Sequence, residues 1–516
     1  MNLVLRDAHE IARQMGEIIR LLRALQPEEA ARALNRTTLT PDLEHFLRGW
    51  IFHQQGNYDS AFEHFSKVNR ENLEGDGFLS NRFDELSKTA QKLKDFEVFE
   101  TANFSIRYQD GPDKVMLSYL PEVLENIYAS YAKAFHFNRG DKIIVEVMPD
   151  YQLFAYASAL TKEQIETTGT IALCVENRLV MITPRRVARG YYWPDVLAHE
   201  YVHYILTKHS RDNAPLWFQE GVAKYFETKW ERPDADPLGE ALETSLAKAI
   251  QKGEFLTVQQ MMPSFAALPT AELAMQAYAQ TASMVDYLCE LQGEDFIYQV
   301  AVALRQEPEV DAVLRESLGI EFSAFEENWK QWASNRGYRI HAHVGGADGV
   351  KLLDEDESSE AIRELEEADE ANKKHTRLGD LLLERGRYSA ALKQYRKTVV
   401  SGEKIHRQVL LRMLRCQQHL NRNREIIEYI DENVTRVQED ATMLVYQARA
   451  YLSLDQKAKA IDRLDLAVRV NPFYPEIYRL KLLALDQDKQ AGEVEKMNTI
   501  LELLHKRPVE NKETKS

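Results

Sequence analysis

Apolar positions follow different periods in different parts of the chain. Between Asn103 and Pro184 the period is short. Phe104, Ile106 and Tyr108 alternate with polar neighbours, and alternation recurs within Ile143 to Val147. A period of two lines up side chains on one face of a strand, so both segments read as strands. Met116 to Phe137 predicts a helix between them. Gly169 to Val175 and Leu179 to Thr183 predict a hairpin across Glu176, Asn177 and Arg178. Farther on the period becomes helical. Val196, Leu197, Val202, Ile205 and Leu206 form an apolar stripe on a helix that Pro194-Asp195 would start. Ala214-Pro215 marks a second helix after the polar loop Ser210-Arg211-Asp212-Asn213, with Pro215 suited to its first turn.

The C-terminal third carries a longer repeat. Leu378-Gly379, Leu382, Gly386, Tyr388, Ala391 and Tyr395 have the spacing of a tetratricopeptide unit, an antiparallel helix pair of about 34 residues. Met413, Cys416, Leu420 and Tyr429 give a weaker copy, and Ala448, Tyr451, Ala460, Leu464, Ala467 and Pro472 a clearer one. A last, degenerate unit starts near Tyr478. Small residues at Gly379, Ala391, Ala448 and Ala460 would let paired helices approach closely. Gly49, Phe52, Gly56, Tyr58, Ala61, Phe65 and Val68 repeat the spacing near the N-terminus. One unit cannot bury both of its faces, so Leu3 to Leu34 is expected to pack on it.

The stripe around residue 200 carries chemistry. His199-Glu200-Tyr201-Val202-His203 is an H-E-x-x-H pentapeptide. Residues four apart on a helix lie about 40° apart around its axis, so both imidazoles can reach one metal ion. Glu200 stands beside them, placed to act on a water. An ordinary helix with these residues facing solvent is the bland alternative. The buried stripe argues against it, because unpartnered polar groups on a buried helix are costly.

A catalytic zinc site usually has three protein ligands. Glu220, among Trp217, Phe218, Val222 and Phe226, is one candidate: a carboxylate in apolar surroundings needs a compensating charge. Gly221 and Ala223 are small enough to let its helix approach the first. His209 is the other candidate, six residues after His203. That spacing brings a third His to the metal only if a Gly lets the chain turn between them, and Leu206 occupies the position. A continuing helix would carry His209 away, leaving it beside the site or, more simply, exposed in a polar loop. Glu220 is therefore the expected ligand.

The pentapeptide followed by Trp217-Phe218-Gln219-Glu220-Gly221-Val222-Ala223 resembles the gluzincin metallopeptidases, in particular peptidase MA-like domains. Phe104 to Tyr108 and Ile143 to Asp150 are similar to the opening strands of such a domain, and Tyr278 to Leu288 to the helix after its active site. The resemblance covers roughly residues 96 to 340. It implies an α+β zincin-like fold, a small twisted sheet followed by zinc-binding helices, with Zn2+ as cofactor and peptide-bond hydrolysis as the reaction. It also implies an edge strand that binds extended substrate, here Ile171 to Val175 or Leu179 to Thr183, unless the hairpin only completes the sheet. By the same resemblance an oxyanion donor lies beyond Glu220, with Tyr278 the candidate and Tyr287 behind it. Asp195, Gln219 and Glu227 could each orient a ligand.

Composition sets outer bounds. The chain has 516 residues, enough for several domains, and its net charge of −16 argues against nucleic acid or an anionic membrane as main partner. Its three cysteines, Cys174, Cys289 and Cys416, suggest no disulfide framework and read as buried small hydrophobes. No apolar run reaches the length of a membrane span, and Met1 to Asp7 lack a signal-peptide pattern. A cytoplasmic location is expected for the chain as written, an exported one if the precursor is longer. The expected organisation is 1–95, helical with one tetratricopeptide-like unit; 96–345, peptidase MA-like; 346–375, an acidic linker with Asp354 to Glu357 and Glu364 to Glu370; and 376–516, an all-α repeat array. The expected function is a zinc metallopeptidase, with His199, His203 and Glu220 as ligands, Glu200 as general base, and repeats that recruit a protein substrate or partner. The alternative is a non-catalytic interaction scaffold with a structural metal. Glu200 weighs against it, since a structural site needs no general base.

Overall fold

The computed structural model describes residues 2–73, 77–138, 140–158, 160–341, 352–353, 370–398, 407–433, 440–486 and 489–505. The expected acidic linker falls largely outside the described residues. Helices α1 (Asn2–Arg23), α2 (Pro27–Leu34), α3 (Pro41–Gln54), α4 (Tyr58–Phe65) and α5 (Gly77–Leu93) come first. Gly49 explains how α3 and α4 pair: a Cβ there would lie 2.5 Å from the Phe65 ring. α1 and α2 pack on this pair, burying Ile18, Leu22, Ala30 and Leu34.

A five-stranded sheet follows: β1 (Glu97–Glu100), β2 (Phe104–Tyr108), β3 (Ile143–Met148), β4 (Ala172–Val175) and β5 (Arg178–Ile182), in the order β1-β2-β3-β5-β4. β2, β3 and β5 run parallel, while β1 and β4 are antiparallel edges. β3 is buried along its whole length, as a central parallel strand covered on both faces should be. Glu146 within it is also fully buried, and it is satisfied by Arg178 at 2.8 Å and by the Tyr58 hydroxyl of the N-terminal pair. The hairpin turns on Glu176 and Asn177 alone, with φ of 51° and 64°. This is the left-handed pair that a two-residue turn demands, so Arg178 joins the strand and not the loop.

Between β2 and β3 the expected helix is shorter than Met116 to Phe137. Residues Pro112–Ser118 form a tight 3₁₀ turn, and α6 (Leu120–Ala134) starts where Pro121, lacking an N–H, fits a first turn. α7 (Tyr151–Ser158) and α8 (Lys162–Thr168) lead into the hairpin. Then come α9 (Trp193–Ser210), α10 (Leu216–Phe226), α11 (Gly239–Lys252), α12 (Ala271–Gln292), α13 (Asp295–Ala303), α14 (Val310–Leu318) and α15 (Phe322–Asn335). Pro215 stands just ahead of α10, not inside it. The molecule is thus an α+β domain with a small mixed sheet, joined to helical repeats.

The C-terminal helices fall in antiparallel pairs: α16 (Glu370–Glu384) with α17 (Tyr388–Tyr395), α18 (Arg407–His419) with α19 (Asn423–Asn433), α20 (Ala441–Ser453) with α21 (Lys457–Val470), and α22 (Pro475–Ala484) with α23 (Ala491–His505). Gly379 meets Tyr395 as Gly49 meets Phe65, and Ala391, Ala448 and Ala460 are fully buried. These pairs do not hang free. Trp193 Nε1 at the start of α9 donates to the Val468 carbonyl at 3.1 Å, and Tyr191 N to the Val470 carbonyl at 3.1 Å. Val115 and Tyr119 join the apolar core of the last two pairs.

Candidate metal centre and active site

α9 is fixed in rotation by its tyrosines. The Tyr201 ring lies 6.0 Å from that of Phe104 and 6.3 Å from those of Tyr128 and Tyr131, all of them packed under the sheet. Residues two positions away lie on the opposite side of a helix, so His199 and His203 turn from this packing towards a cleft. Their Nε2 atoms are 3.1 Å apart. From α10, Glu220 Oε2 comes within 3.6 Å of His199 Nε2 and 3.7 Å of His203 Nε2. One ligand atom from each of these residues lies within 4.8 Å of the others, close enough to share one metal ion.

Glu220 is delivered by a close helix contact, though not the expected one. A Cβ on Gly221 would lie 2.6 Å from the Thr281 carbonyl oxygen and 2.9 Å from the Val285 side chain. Gly221 therefore lets α10 press on α12, and that contact sets where Glu220 points. Its Oε2 is buried without a hydrogen bond among the described residues, an arrangement that a metal ion resolves.

Beside the cluster, Glu227 Oε2 lies 3.2 Å from His199 Nδ1 and 2.6 Å from Lys224 Nζ. The Nδ1 proton thus points to Glu227 and leaves Nε2 as the donor towards the centre. Burial disfavours a charged His199, but the adjacent carboxylates of Glu220 and Glu227 outweigh it and raise the ring to about 10. Burial raises Glu220 too, yet His203 and His199 hold it far below the usual carboxylate range. Both shifts say that these carboxylates favour positive charge at this point. The other two residues expected to orient a ligand are used elsewhere. Asp195 accepts from Trp230 Nε1 at 2.8 Å, and Gln219 donates to the Ala214 carbonyl at 2.8 Å.

Glu200 is 9% exposed on the same face of α9. Burial raises its carboxyl above the ordinary range, opposed by His199 and His203 and by a hydrogen bond from the Cys174 amide. That amide belongs to β4, the free edge of the sheet, so β4 is the strand at the cleft and β5 lies inside. Cys174 is accordingly only partly buried and lines the cleft, unlike the buried Cys289 and Cys416. The cleft encloses about 670 Å³, lined by β4, the metal cluster, Ser264 to Ala266 and the end of α1.

Tyr278 also lines it, its ring centroid 6.4 Å from that of His199. Burial, then the charges of Glu220, Glu200 and Glu227, push its phenol well above the ordinary value, so it stays a hydrogen-bond donor. Tyr287 lies elsewhere, its ring 5.7 Å from Phe325 and 5.2 Å from Trp332. His209 is neither a ligand nor exposed. α9 runs on through Leu206 to Ser210, and His209, only 7% exposed, lies with Nε2 3.0 Å from the Phe135 carbonyl.

Fold and side chains define an α+β domain carrying a two-histidine, one-carboxylate cluster placed so that it could hold a metal ion. Residues 155–335 match the family model of the Peptidase MA superfamily, and residues 16–72 that of the Tetratricopeptide repeat. The chain carries a Peptidase MA superfamily domain combined with tetratricopeptide repeats. The repeat match takes in α2 to α4 and the end of α1, so it extends beyond the single helix pair read from spacing. No curated protein and no solved structure matches the chain. Among the described residues no helix is long and apolar enough to cross a membrane.

Local sequence could not reveal the Cys174 amide, the 264–266 turn or the α1 corner as parts of this cleft. None carries a motif, and each reaches the site only through long-range packing.

Proposed function

We propose that the protein is a zinc-dependent peptidase. The observation that carries this reading is the convergence of His199, His203 and the otherwise unsatisfied Glu220 beside Glu200. His199, His203 and Glu220 would hold the ion. When bound, zinc supplies Lewis acidity, which makes a water nucleophilic near neutral pH and polarises a carbonyl.

The remaining chemistry belongs to the protein. Glu200 takes a proton from the attacking water and passes it to the leaving amine nitrogen. Its carboxyl, raised by burial, is a better match to that two-way transfer than an exposed glutamate. Tyr278, still protonated, donates to the oxygen that gains charge in the tetrahedral intermediate. β4 is an edge of the sheet, and its outer backbone, apart from the Cys174 amide that bonds Glu200, would pair with an extended peptide lying beside Glu200. The repeats would recruit a protein substrate or partner.

The test is metal analysis of the purified protein together with a peptide-cleavage screen on wild type and Glu200→Gln. Stoichiometric zinc, and cleavage that disappears in the variant with zinc retained, are expected. Protein that binds no zinc sinks the reading. Zinc without cleavage of any peptide or protein supports the scaffold alternative.

A further inference from the structure

The cleft has a wall that the peptidase domain does not supply. Past the end of β4, beside Val175 and Glu176, it is lined by Leu22, Arg23 and Leu25 at the corner between α1 and α2. This corner is held firmly. Leu22 is fully buried, and its carbonyl accepts from Gln54 Nε2 at 2.8 Å. The same amide donates to Glu176 Oε2 at 3.0 Å, alongside Trp50 Nε1 at 2.5 Å and an ion pair from Arg82. Asn177 donates to the Gln54 carbonyl at 2.9 Å and accepts from Lys208 Nζ of α9 at 2.6 Å. Corner, hairpin turn and metal-site helix are thus one hydrogen-bonded unit. At the other end of β4, α8 packs against the turn at 265–267, so the cleft is bounded at both ends.

Outside the candidate metal cluster, charge in this space is one-sided. Glu200, Glu227 and Asp212, with Glu176 already paired to Arg82, line it against two cations, Lys224 and Arg23. Lys224 is taken up by Glu227 at 2.6 Å. Arg23 is exposed, its guanidinium 5.0 Å from the Phe78 ring centroid, and within the cleft its charge acts on the Asp212 carboxyl. Away from the candidate metal centre a substrate carboxylate meets acids, and at Arg23 it meets a cation.

We propose that the α1–α2 corner is the end wall of the substrate cleft and Arg23 its specificity residue, selecting a short peptide or flexible chain end that carries a carboxylate. The proposal rests on the peptidase reading for the identity of the ligand as a peptide. Cys174 marks the position of Glu200 along β4, and Glu176 lies two residues on. The selected carboxylate, from a side chain or the C-terminus, therefore falls roughly two or three residues from the scissile bond at strand spacing.

Binding tests this apart from catalysis. The probes are fluorescein-labelled octapeptides of Gly and Leu with one Asp, Asn or Lys moved through each position, each made as C-terminal acid and amide. Anisotropy is read on zinc-loaded Glu200→Gln protein, so that no probe is consumed, with Arg23 intact, changed to Gln or changed to Glu. The expected result is a preference of about fivefold or more for Asp over Asn, or for acid over amide, lost in Arg23→Gln and turned towards Lys in Arg23→Glu. The Asp and terminal-acid arms separate the two sources of carboxylate. No binding, no acid preference, or a preference indifferent to residue 23 overturns the proposal. Arg23-dependent binding without cleavage by the Glu200 protein overturns the peptidase reading alone, and cleavage indifferent to residue 23 overturns the end wall alone.

Discussion

At Glu227 one hydrogen bond decides which nitrogen of His199 faces the cleft. Glu227→Gln keeps the size but weakens that bond, and Lys224 loses its counter-charge. Zinc affinity is expected to fall roughly 10–100-fold, read by chelator competition; unchanged affinity would remove Glu227 from the site. His209 makes a different prediction. Burial, with Arg305 and His136 nearby, lowers its ring to about 4 from the ordinary 6.5. The unfolded chain therefore binds a proton that the folded chain refuses. Stability from this residue is fully present above about pH 6.5 and is lost as pH falls towards 4, a few kcal/mol in all. Urea unfolding across that window should show a shallower loss for His209→Gln than for wild type. Equal slopes would show that His209 titrates normally in the fold.

At the scale of elements, the contact between α10 and α12 positions Glu220, the proposed third ligand. Gly221→Val forces a side chain into the Thr281 carbonyl and Val285. The expected cost is about 1–3 kcal/mol of stability. Because Glu220 is the neighbouring residue, zinc affinity should fall with it. Chemical denaturation and metal titration on the same variant check this, and a stable variant with full zinc affinity would show that α10 is not positioned by α12. The edge strand is set in the same way. Glu176 and Asn177 tie the turn of the hairpin to α3, α5 and α9, which holds the Cys174 amide against Glu200.

At the scale of the molecule, the C-terminal pairs dock on the start of α9. Gly190 has φ of 71°, and a Cβ there would lie 2.5 Å from the Val470 carbonyl oxygen. Arg469 Nη1 reaches Glu231 Oε1 at 2.5 Å across the same junction. Gly190→Val is expected to cost several kcal/mol, through strain and a backbone clash together. It should lower the melting temperature and raise amide exchange in the first turn of α9 and the last of α21. Exchange unchanged at both places would show that the junction does not brace the helix.

Much of this was legible in the chain because it depends on residues close in sequence. Helical spacing put His199, Glu200 and His203 on one face, Leu206 kept that helix running past His209, and alternation marked β2. A glycine opposite an aromatic ring one helix away, at Gly49 and Gly379, marked repeat pairs at both ends. Other features depend on which surfaces meet. Spacing left open whether Ile171 to Val175 or Leu179 to Thr183 is the edge, since both are nearly unbroken apolar runs; the order of strands chose β4. It assigned Gly221 to the wrong partner helix, and it left His209 exposed, because a short side chain or a polar loop carries no record of what packs on it. The sequence by itself determined the candidate ligand types and the elements that carry them, through helical and strand periods a few residues long. Only the tertiary structure decided that Glu227 orients His199, that the free edge of β4 faces Glu200, and that the α1 corner closes the cleft, because those contacts join residues that no local period relates.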